Sequence, residues 1–286
     1  MSDDALRRRH LLWIAGAAAL GFLSSFVFAD LLRFQASPLA HACLQVAAVA
    51  HNSASDLFLP PHASGTVPDA PAAKPEPDPP VIELPLRGEW HALRPPGHPR
   101  EAFDFVALSA TGRRYFSRSW VAYLLSAGPA ADSYGWSRPV YAPFEGTVTA
   151  ASDGWPDRET VNLIRDLLRP LVRPPKVVDR DIRPFAGNYV IIQSDRAAVF
   201  LAHLRRGSVR ASVGQRVAPG QRIGEVGNSG NSLAPHLHLQ LMDGPDPLRA
   251  RLVPFRLRRY ERWNGRAWEA VREGPLAPGE RIRSVP

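Results

Sequence analysis

The sequence predicts a mainly β protein, an antiparallel sandwich or barrel-like sheet with a groove, one short inserted helix and one transmembrane helix ahead of it. Three observations lead to this prediction. Residues 198–241 alternate short apolar runs with Gly, Asn and Pro, which is typical of strands and turns. Residues 155–184 interrupt this pattern with apolar residues at helical spacing. Residues 11–29 form an uncharged apolar run.

The N-terminal run LLWIAGAAALGFLSSFVFA, residues 11–29, is long enough to cross a bilayer. The cluster RRR lies just before it, so the positive-inside rule places residues 1–10 in the cytoplasm and the rest of the chain outside. We favour an uncleaved signal anchor over cleavage after Ala29. The sequence therefore predicts a single-pass protein of the cell membrane whose C-terminal part is extracytoplasmic, on the periplasmic or cell-wall side.

Between this run and the first strand, the chain changes composition twice. Residues 30–58 are apolar but broken by polar residues, and we interpret them as an amphipathic neck. Residues 59–80 are rich in proline and predict a semi-rigid spacer. The ordered domain is expected over 81–258. Residues 259–286 form a C-terminal extension, in which Asn264-Gly265 predicts a hairpin turn.

Charge and cysteine content limit the classes of partner. The chain carries a formal net charge of +8 and one cysteine, Cys43. A basic protein favours anionic partners such as nucleic acids, membrane surfaces or anionic wall polymers. The arginines are spread out and no zinc-finger or RNA-binding pattern accompanies them, so we expect no nucleic-acid partner. A single cysteine excludes both an intramolecular disulfide and a cysteine zinc site.

The domain itself contains several predicted strands and one insertion. FDFVAL predicts a strand that carries Asp104 within an apolar run, and a carboxylate there needs a metal or an arginine as its partner. PVYAPFEGTVTAA predicts two strands with a turn at Glu145-Gly146. Within the insertion 155–184, ETVNLIRDLLRPL predicts an amphipathic helix. The insertion is either a surface excursion or a lid beside a groove.

The segment HLHLQL carries the clearest candidate for chemistry. Alternation on a strand places His236, His238 and Gln240 on one face and the leucines on the other. Two imidazoles on one face suit a zinc ion with a nearby general acid or base. An isolated H-x-H more often marks a polar, solvated face. The preceding IGEVGNSGNS favours a site, because its glycines predict tight turns and close backbone approach.

The run GNSGNSLAPHLHLQL, with LAHL upstream, resembles the lysostaphin/LytM-like zinc metallopeptidases, which cut peptidoglycan and share the duplicated hybrid motif fold. The resemblance extends over about residues 81–258. It implies that His238 is a zinc ligand and that His236 and His203 are catalytic. PVYAPFEGTV and GNYVII are similar to structural segments of the same family.

The first metal motif of that family is H-x-x-x-D, and this chain departs from it. The corresponding residues are His98 and Asp104, two residues further apart, with Pro99 favouring a turn between them. The resemblance implies that both ligate zinc, and His91 is the substitute for His98. Three protein ligands with an open fourth position are typical of catalytic zinc. The chain has no H-E-x-x-H helix.

These features together predict a membrane-anchored zinc metalloendopeptidase that hydrolyses peptide bonds in peptidoglycan cross-links or stem peptides. One alternative is a catalytically inactive protein of the same fold that binds cell wall or regulates a wall hydrolase, in which case a regulatory protein partner is expected. Another is a basic module that binds wall or lipid and whose histidines are incidental. Dispersal of His203, His236 and Asp104 over different faces of the fold would favour the last.

Overall fold

The computed structural model describes residues 78–285, except 96–97, 113 and 173–174. The predicted transmembrane run 11–29, the neck 30–58 and most of the spacer 59–80 lie outside the described residues. Within the described part of the chain, the structure contains no helix with the length and apolarity needed to span a membrane.

Strands dominate the described part of the chain. In chain order they are β1 (Val81–Ile82), β2 (Glu89–Leu93), β3 (Ala102–Ala107), β4 (Gly128–Pro129), β5 (Pro139–Tyr141), β6 (Gly146–Ser152), β7 (Thr160–Val161), β8 (Asn188–Gln193), β9 (Ala198–Leu204), β10 (Arg216–Val217), β11 (Arg222–Glu225), β12 (Leu237–Met242), β13 (Arg256–Trp263), β14 (Trp268–Gly274) and β15 (Glu280–Arg283). The helices are α1 (Trp120–Leu125), α2 (Leu163–Val172), α3 (Arg183–Ala186) and a 3-10 turn at Ala130–Asp132.

Most strands join one eleven-stranded sheet in the order β1-β13-β15-β2-β3-β12-β9-β8-β6-β10, with β14 paired to β13. Its neighbouring strands run antiparallel except for β1 and β13. Two ribbons of two strands, β5 with β11 and β4 with β7, complete the described strands. The prediction of a mainly β, antiparallel domain is confirmed.

The core follows from the alternation along β12. Leu237, Leu239 and Leu241 are fully buried in the main hydrophobic cluster. His238 and Gln240 point to the opposite face, where their side chains meet. Burying three leucines removes enough apolar surface to contribute several kcal/mol, about 1.5–3 kcal/mol for each side chain. The core therefore fixes the register that presents the histidine face.

The β5–β11 ribbon forms a second layer over this core. Val140 of β5 and Ile223 of β11 are fully buried in the same cluster as the leucines of β12. The two predicted strands are present, and their connection lies at residues 142–145, since Gly146 is already the first residue of β6. Packing the ribbon on the large sheet buries the apolar face of each against the other.

The predicted helix of the insertion is present but begins later than its apolar spacing suggested. Val161 was expected on the helix, and it lies instead in β7, paired with β4. Asn162 sets the start of α2, because its Oδ1 accepts a hydrogen bond from the backbone N–H of Arg165 at 2.8 Å. In return, the backbone N–H of Asn162 donates to Asp166 Oδ2 at 2.9 Å. Such a reciprocal cap ends the strand and starts the helix.

The C-terminal strands belong to the large sheet. The boundary drawn at 258–259 falls inside β13, and β15 pairs with both β13 and β2. The hairpin predicted at Asn264-Gly265 is confirmed, since β13 and β14 pair across it. Trp263 and Trp268 face each other there, with ring centroids 5.5 Å apart.

Candidate active site

The centre of the site is the pair Asp104 and His238. They are direct cross-strand partners on β3 and β12, so their side chains lie on the same face. His238 Nδ1 is 2.9 Å from Asp104 Oδ1. The other ring nitrogen lies 3.0 Å from Gln240 Oε1, two residues along β12. The partner of the buried carboxylate is thus a group of histidines rather than an arginine.

His98 reaches the same carboxylate from the turn before β3. Its Nε2 lies 3.1 Å from Asp104 Oδ2. The backbone N–H of Ala102 donates to the carbonyl of Pro99 at 3.2 Å, which closes a turn between the histidine and the strand. This turn absorbs the two extra residues of the motif. His98, Asp104 and His238 each offer a ligand atom, and these atoms lie within 4.8 Å of one another.

His91, the substitute ligand, is outside this group. It lies on β2, and its Nδ1 is 2.6 Å from the hydroxyl of Tyr115. Burial, and then the charge of Arg281, lower the pKa of His91 from 6.5 to about 4. His91 is therefore a neutral side chain with a hydrogen-bond partner of its own, and its position is explained by packing around β2.

His203 faces the site because β9 contains a bulge. Ala202 is the residue opposite His238, so simple alternation would turn His203 to the other face. The pairing of β8 with β9 slips by one residue at this point, and His203 has a φ of 62°. The bulge turns the imidazole back, with its ring centroid 4.6 Å from that of His236. The left-handed φ costs this non-glycine residue backbone strain, and such strained residues are enriched at functional sites.

His236 completes the group just before β12. Its Nδ1 lies 2.8 Å from the carbonyl of Ala234, and its Nε2 lies 3.4 Å from Asp104 Oδ1. His203 is held in the same way, with Nδ1 2.9 Å from the carbonyl of Ser229. A carbonyl accepts only from N–H, so each ring carries a proton on Nδ1 and turns Nε2 toward the site.

The surroundings shift the pKa values of His203 and His236 in opposite directions. Burial, with His236 and His238 adding to it, holds the pKa of His203 well below its usual value. Burial also disfavours the charged form of His236, but the carboxylate of Asp104 outweighs it and raises the pKa of His236. Burial alone would raise the pKa of Asp104, yet His236 and His98 hold it well below normal. One neutral and one readily protonated histidine form an acid–base pair.

The glycine-rich loop holds the backbone that orients His203. The backbone N–H of Gly227 donates to the carbonyl of His203 at 3.0 Å. A Cβ at Gly227 would lie 2.4 Å from the backbone of Arg205, and one at Gly230 would lie 2.3 Å from the backbone of Gly187. The close approach predicted from the glycines is confirmed at both positions.

Three supporting residues escaped the sequence-based prediction. Asn188 is fully buried, and its Nδ2 donates to the carbonyl of Leu204 at 3.0 Å. Ser229 Oγ accepts from the backbone N–H of Asn188 at 3.0 Å. Asp157, in the insertion, accepts from the backbone N–H groups of Asn228 and Arg206, both at 2.7 Å. Asn188 lies in the GNYVII segment, which was interpreted as structural only. No pattern in the sequence pointed to Asp157.

Comparison with known proteins agrees with the resemblance. Residues 172–250 match the model of Peptidase family M23. This segment contains His203, His236 and His238, whereas His98 and Asp104 precede it. The chain is 40% identical over 67 residues to the peptidoglycan DD-endopeptidase ShyA of Vibrio cholerae. The aligned residues make up 23% of this chain. The match spans only 15% of the length of that curated relative.

Two solved structures show further similarity. The catalytic domain of a mutant of the prophage-encoded M23 protein EnpA from Enterococcus faecalis is 18% identical, covering 60% of this chain and 92% of its own, with a TM-score of 0.33. The catalytic domain of lysostaphin from Staphylococcus simulans is 19% identical, covering 58% of this chain and 88% of its own, with a TM-score of 0.31.

Proposed function

We propose that this chain, in which residues 172–250 match the model of Peptidase family M23, is a zinc metalloendopeptidase that hydrolyses peptide bonds in peptidoglycan cross-links or stem peptides. The matched relative is a peptidoglycan endopeptidase, which supports this substrate class. The single observation that carries the proposal is the convergence of His98, Asp104 and His238 on one point.

The donor set fits zinc in type and spacing. Imidazole nitrogens and a carboxylate oxygen are typical zinc ligands, and bonds of about 2.0–2.2 Å in tetrahedral geometry place donors about 3.3–3.6 Å apart. Here the separations are 3.1 Å from His98 to Asp104 and 2.9 Å from His238 to Asp104. A small outward shift of each donor accommodates the ion. Three ligands leave one position open, as catalytic sites require.

Zinc at this position supplies a Lewis acid that polarises a peptide carbonyl and lowers the pKa of water. The remaining chemistry belongs to the chain. His203 is neutral with Nε2 unprotonated, so it can take a proton from the attacking water. His236 Nε2 faces the site, 3.4 Å from Asp104 Oδ1, and in its protonated form this ring can donate a hydrogen bond to the developing oxyanion or a proton to the leaving amine.

The alternative of an inactive protein that binds cell wall is expected to lack a metal ligand. The three donors converge here despite the irregular spacing of His98, which favours the enzyme. His203, His236 and Asp104 also lie on one face, which disfavours the module with incidental histidines.

Digestion of purified peptidoglycan tests the proposal. The full chain, loaded with zinc, is expected to release new free amino and carboxyl groups from the peptidoglycan and, after muramidase digestion, to leave fewer cross-linked muropeptides, whereas His238→Ala is expected to release none. Absence of release by a zinc-loaded wild type would contradict the enzyme. Co-sedimentation with the same peptidoglycan would then support the wall-binding alternative.

We also propose that residues 11–29 anchor the chain in the cell membrane, with residues 1–10 inside and the domain outside. The support is the apolar run and the preceding arginines. In spheroplasts, protease added outside is expected to degrade the domain of the full chain. Protection of the domain would contradict this orientation, and recovery of the chain in the soluble fraction would contradict the anchor.

A further inference from the structure

Arg158, at the start of the insertion, has an unusual environment for a guanidinium. Its side chain is 18% exposed, and its Nη1 is 3.6 Å from Asp166 Oδ1. Within the described residues, Nε and Nη2 are both buried and have no hydrogen-bond partner. These two nitrogens form one edge of the planar guanidinium. Their two N–H groups are parallel and can donate to both oxygens of one carboxylate.

The charge around Arg158 is incompletely balanced. Asp166 is the nearby carboxylate, with a side chain that is 1% exposed, and it also accepts from Arg165 Nε at 3.1 Å. Arg165 is 54% exposed and shares this single negative charge. Burial, only partly offset by Asp166, lowers the pKa of Arg158 to about 10. A second anion at the free edge would balance the pair of arginines.

The backbone of Arg158 is hydrogen-bonded to the glycine-rich loop beside the candidate active site. The backbone N–H of Arg158 donates to the carbonyl of Asn228 at 3.1 Å, and Asn228 Nδ2 donates to the carbonyl of Arg158 at 2.9 Å. Asn228 adjoins Ser229, whose carbonyl holds His203.

Asn228, which hydrogen-bonds to the backbone of Arg158, also carries an unpartnered buried atom. Its Oδ1 joins the two nitrogens of Arg158 among the buried side-chain atoms of the described residues that have no hydrogen-bond partner. Such atoms are rare in folded proteins, and each calls for a ligand or another explanation. The set combines a two-pronged donor with an amide acceptor, which matches a carboxylate next to a peptide N–H.

We propose that Arg158 and Asn228 form a specificity subsite that binds a carboxylate of the peptide substrate close to the bond that is cut. The Nε–H and Nη2–H groups of Arg158 donate to the carboxylate, and Asn228 Oδ1 accepts a hydrogen bond from an adjacent substrate N–H. The edge is shielded from solvent in the free protein, so it has to become accessible when the substrate binds. The insertion is then a specificity element of the site, and this inference rests on the proposed function.

The test uses two synthetic stem peptides that differ only in one carboxyl group beside the scissile bond, free in one and amidated in the other. The full chain is expected to cleave the free-acid peptide with a kcat/KM about 10- to 100-fold higher, since hydrogen bonds to charged groups contribute about 1.5–3 kcal/mol. Arg158→Gln is expected to abolish this preference mainly through KM. Arg158→Lys keeps the charge but loses the fork, and it is expected to retain only part of the preference.

Arg165→Gln is the matched control, because it removes the exposed partner of the same carboxylate and should keep the preference. Equal cleavage of both peptides by the wild type, or an undiminished preference in Arg158→Gln with an unchanged melting temperature, would overturn the subsite. If the wild type cleaves neither peptide, the proposed function fails. Calorimetric binding of the two peptides to wild type and Arg158→Gln then decides the subsite independently.

Discussion

At the scale of single residues, the proposed function assigns the general base to His203 and the acid to His236, whose surroundings favour opposite protonation states. We expect His203→Ala to lower kcat by about 10²- to 10⁴-fold, the range for loss of a general base. Zinc content should stay unchanged, since His203 is not one of the three converging donors. The measurement is steady-state hydrolysis with metal analysis of the same sample. His91→Gln, on β2, is the control with unchanged kcat, and a comparable loss there would contradict the assignment.

The lowered pKa of His91 predicts how the stability of the fold depends on pH. Its pKa is about 4 in the folded chain against 6.5 for a free histidine, so the unfolded chain binds more protons between these values. The free energy of unfolding therefore rises with pH through this window, by at most about 3 kcal/mol, and the contribution is complete above it.

Urea unfolding of wild type and His91→Gln at several pH values checks this effect. Glutamine can still hydrogen-bond the hydroxyl of Tyr115 but does not titrate. The difference in unfolding free energy between the two proteins should shrink as the pH falls toward 4. A difference that is constant with pH would show that burial does not shift His91.

At the scale of elements, the insertion supports the bulge that carries His203. Asp157 accepts hydrogen bonds from the backbone N–H groups of Asn228 and Arg206 and so ties together two segments of the chain. The first segment includes Gly227 and Ser229, the two hydrogen-bond partners of His203. Asp153 clamps only the second segment, through Gly207 at 2.7 Å and Val209 at 3.2 Å. The two carboxylates thus differ in whether they reach the loop beside Ser229.

We expect Asp157→Ala to lower stability by about 1–3 kcal/mol, because it leaves a part-buried backbone donor without its acceptor. Asp153→Ala should cost less, since its backbone donors are exposed and water can replace the carboxylate. Only Asp157→Ala should lower kcat, by about tenfold or more, since a small misplacement of a catalytic group is costly. Thermal unfolding and kinetics on the same preparations separate the effects. Equal losses of kcat in the two variants would mean that the clamp acts on stability alone.

The sequence predicted elements well where alternation alone decides the structure. In β12, three buried leucines and the opposite histidine face follow directly from the period of two. The bulge at His203 could not be predicted, because the pairing slip depends on β8 and on the loop at Gly227. The start of α2 depended on a local cap at Asn162, which the apolar spacing alone overlooks.

At the scale of the whole described domain, the C-terminal strands are integral to the sheet. Tyr260 and Ile282 are fully buried, and β15 covers the edge of β2 next to the strand of Asp104. The sequence predicted the hairpin but not this closure, because the pairing of β15 with β2 joins segments far apart in the chain. Long-range pairing of this kind leaves little local signal.

Truncation after residue 258 is therefore expected to abolish cooperative unfolding. Loss of two large buried side chains costs about 3–5 kcal/mol each, against a total stability of about 5–15 kcal/mol. Truncation after Ser284 is the control and should leave the melting temperature nearly unchanged. Circular dichroism during heating measures both. A cooperative transition in the shorter chain would show that residues 259–286 are an independent extension.

The central claim is that His98, Asp104 and His238 form one metal centre. The most direct test is the zinc content of the full chain and of His98→Ala, His238→Ala and His91→Ala, each purified in the same way. We predict about one zinc per chain in the wild type and in His91→Ala, as a single three-ligand site requires, with loss of zinc in the other two. Wild-type protein that binds no zinc, or retention of zinc by His98→Ala and its loss in His91→Ala, would contradict the account.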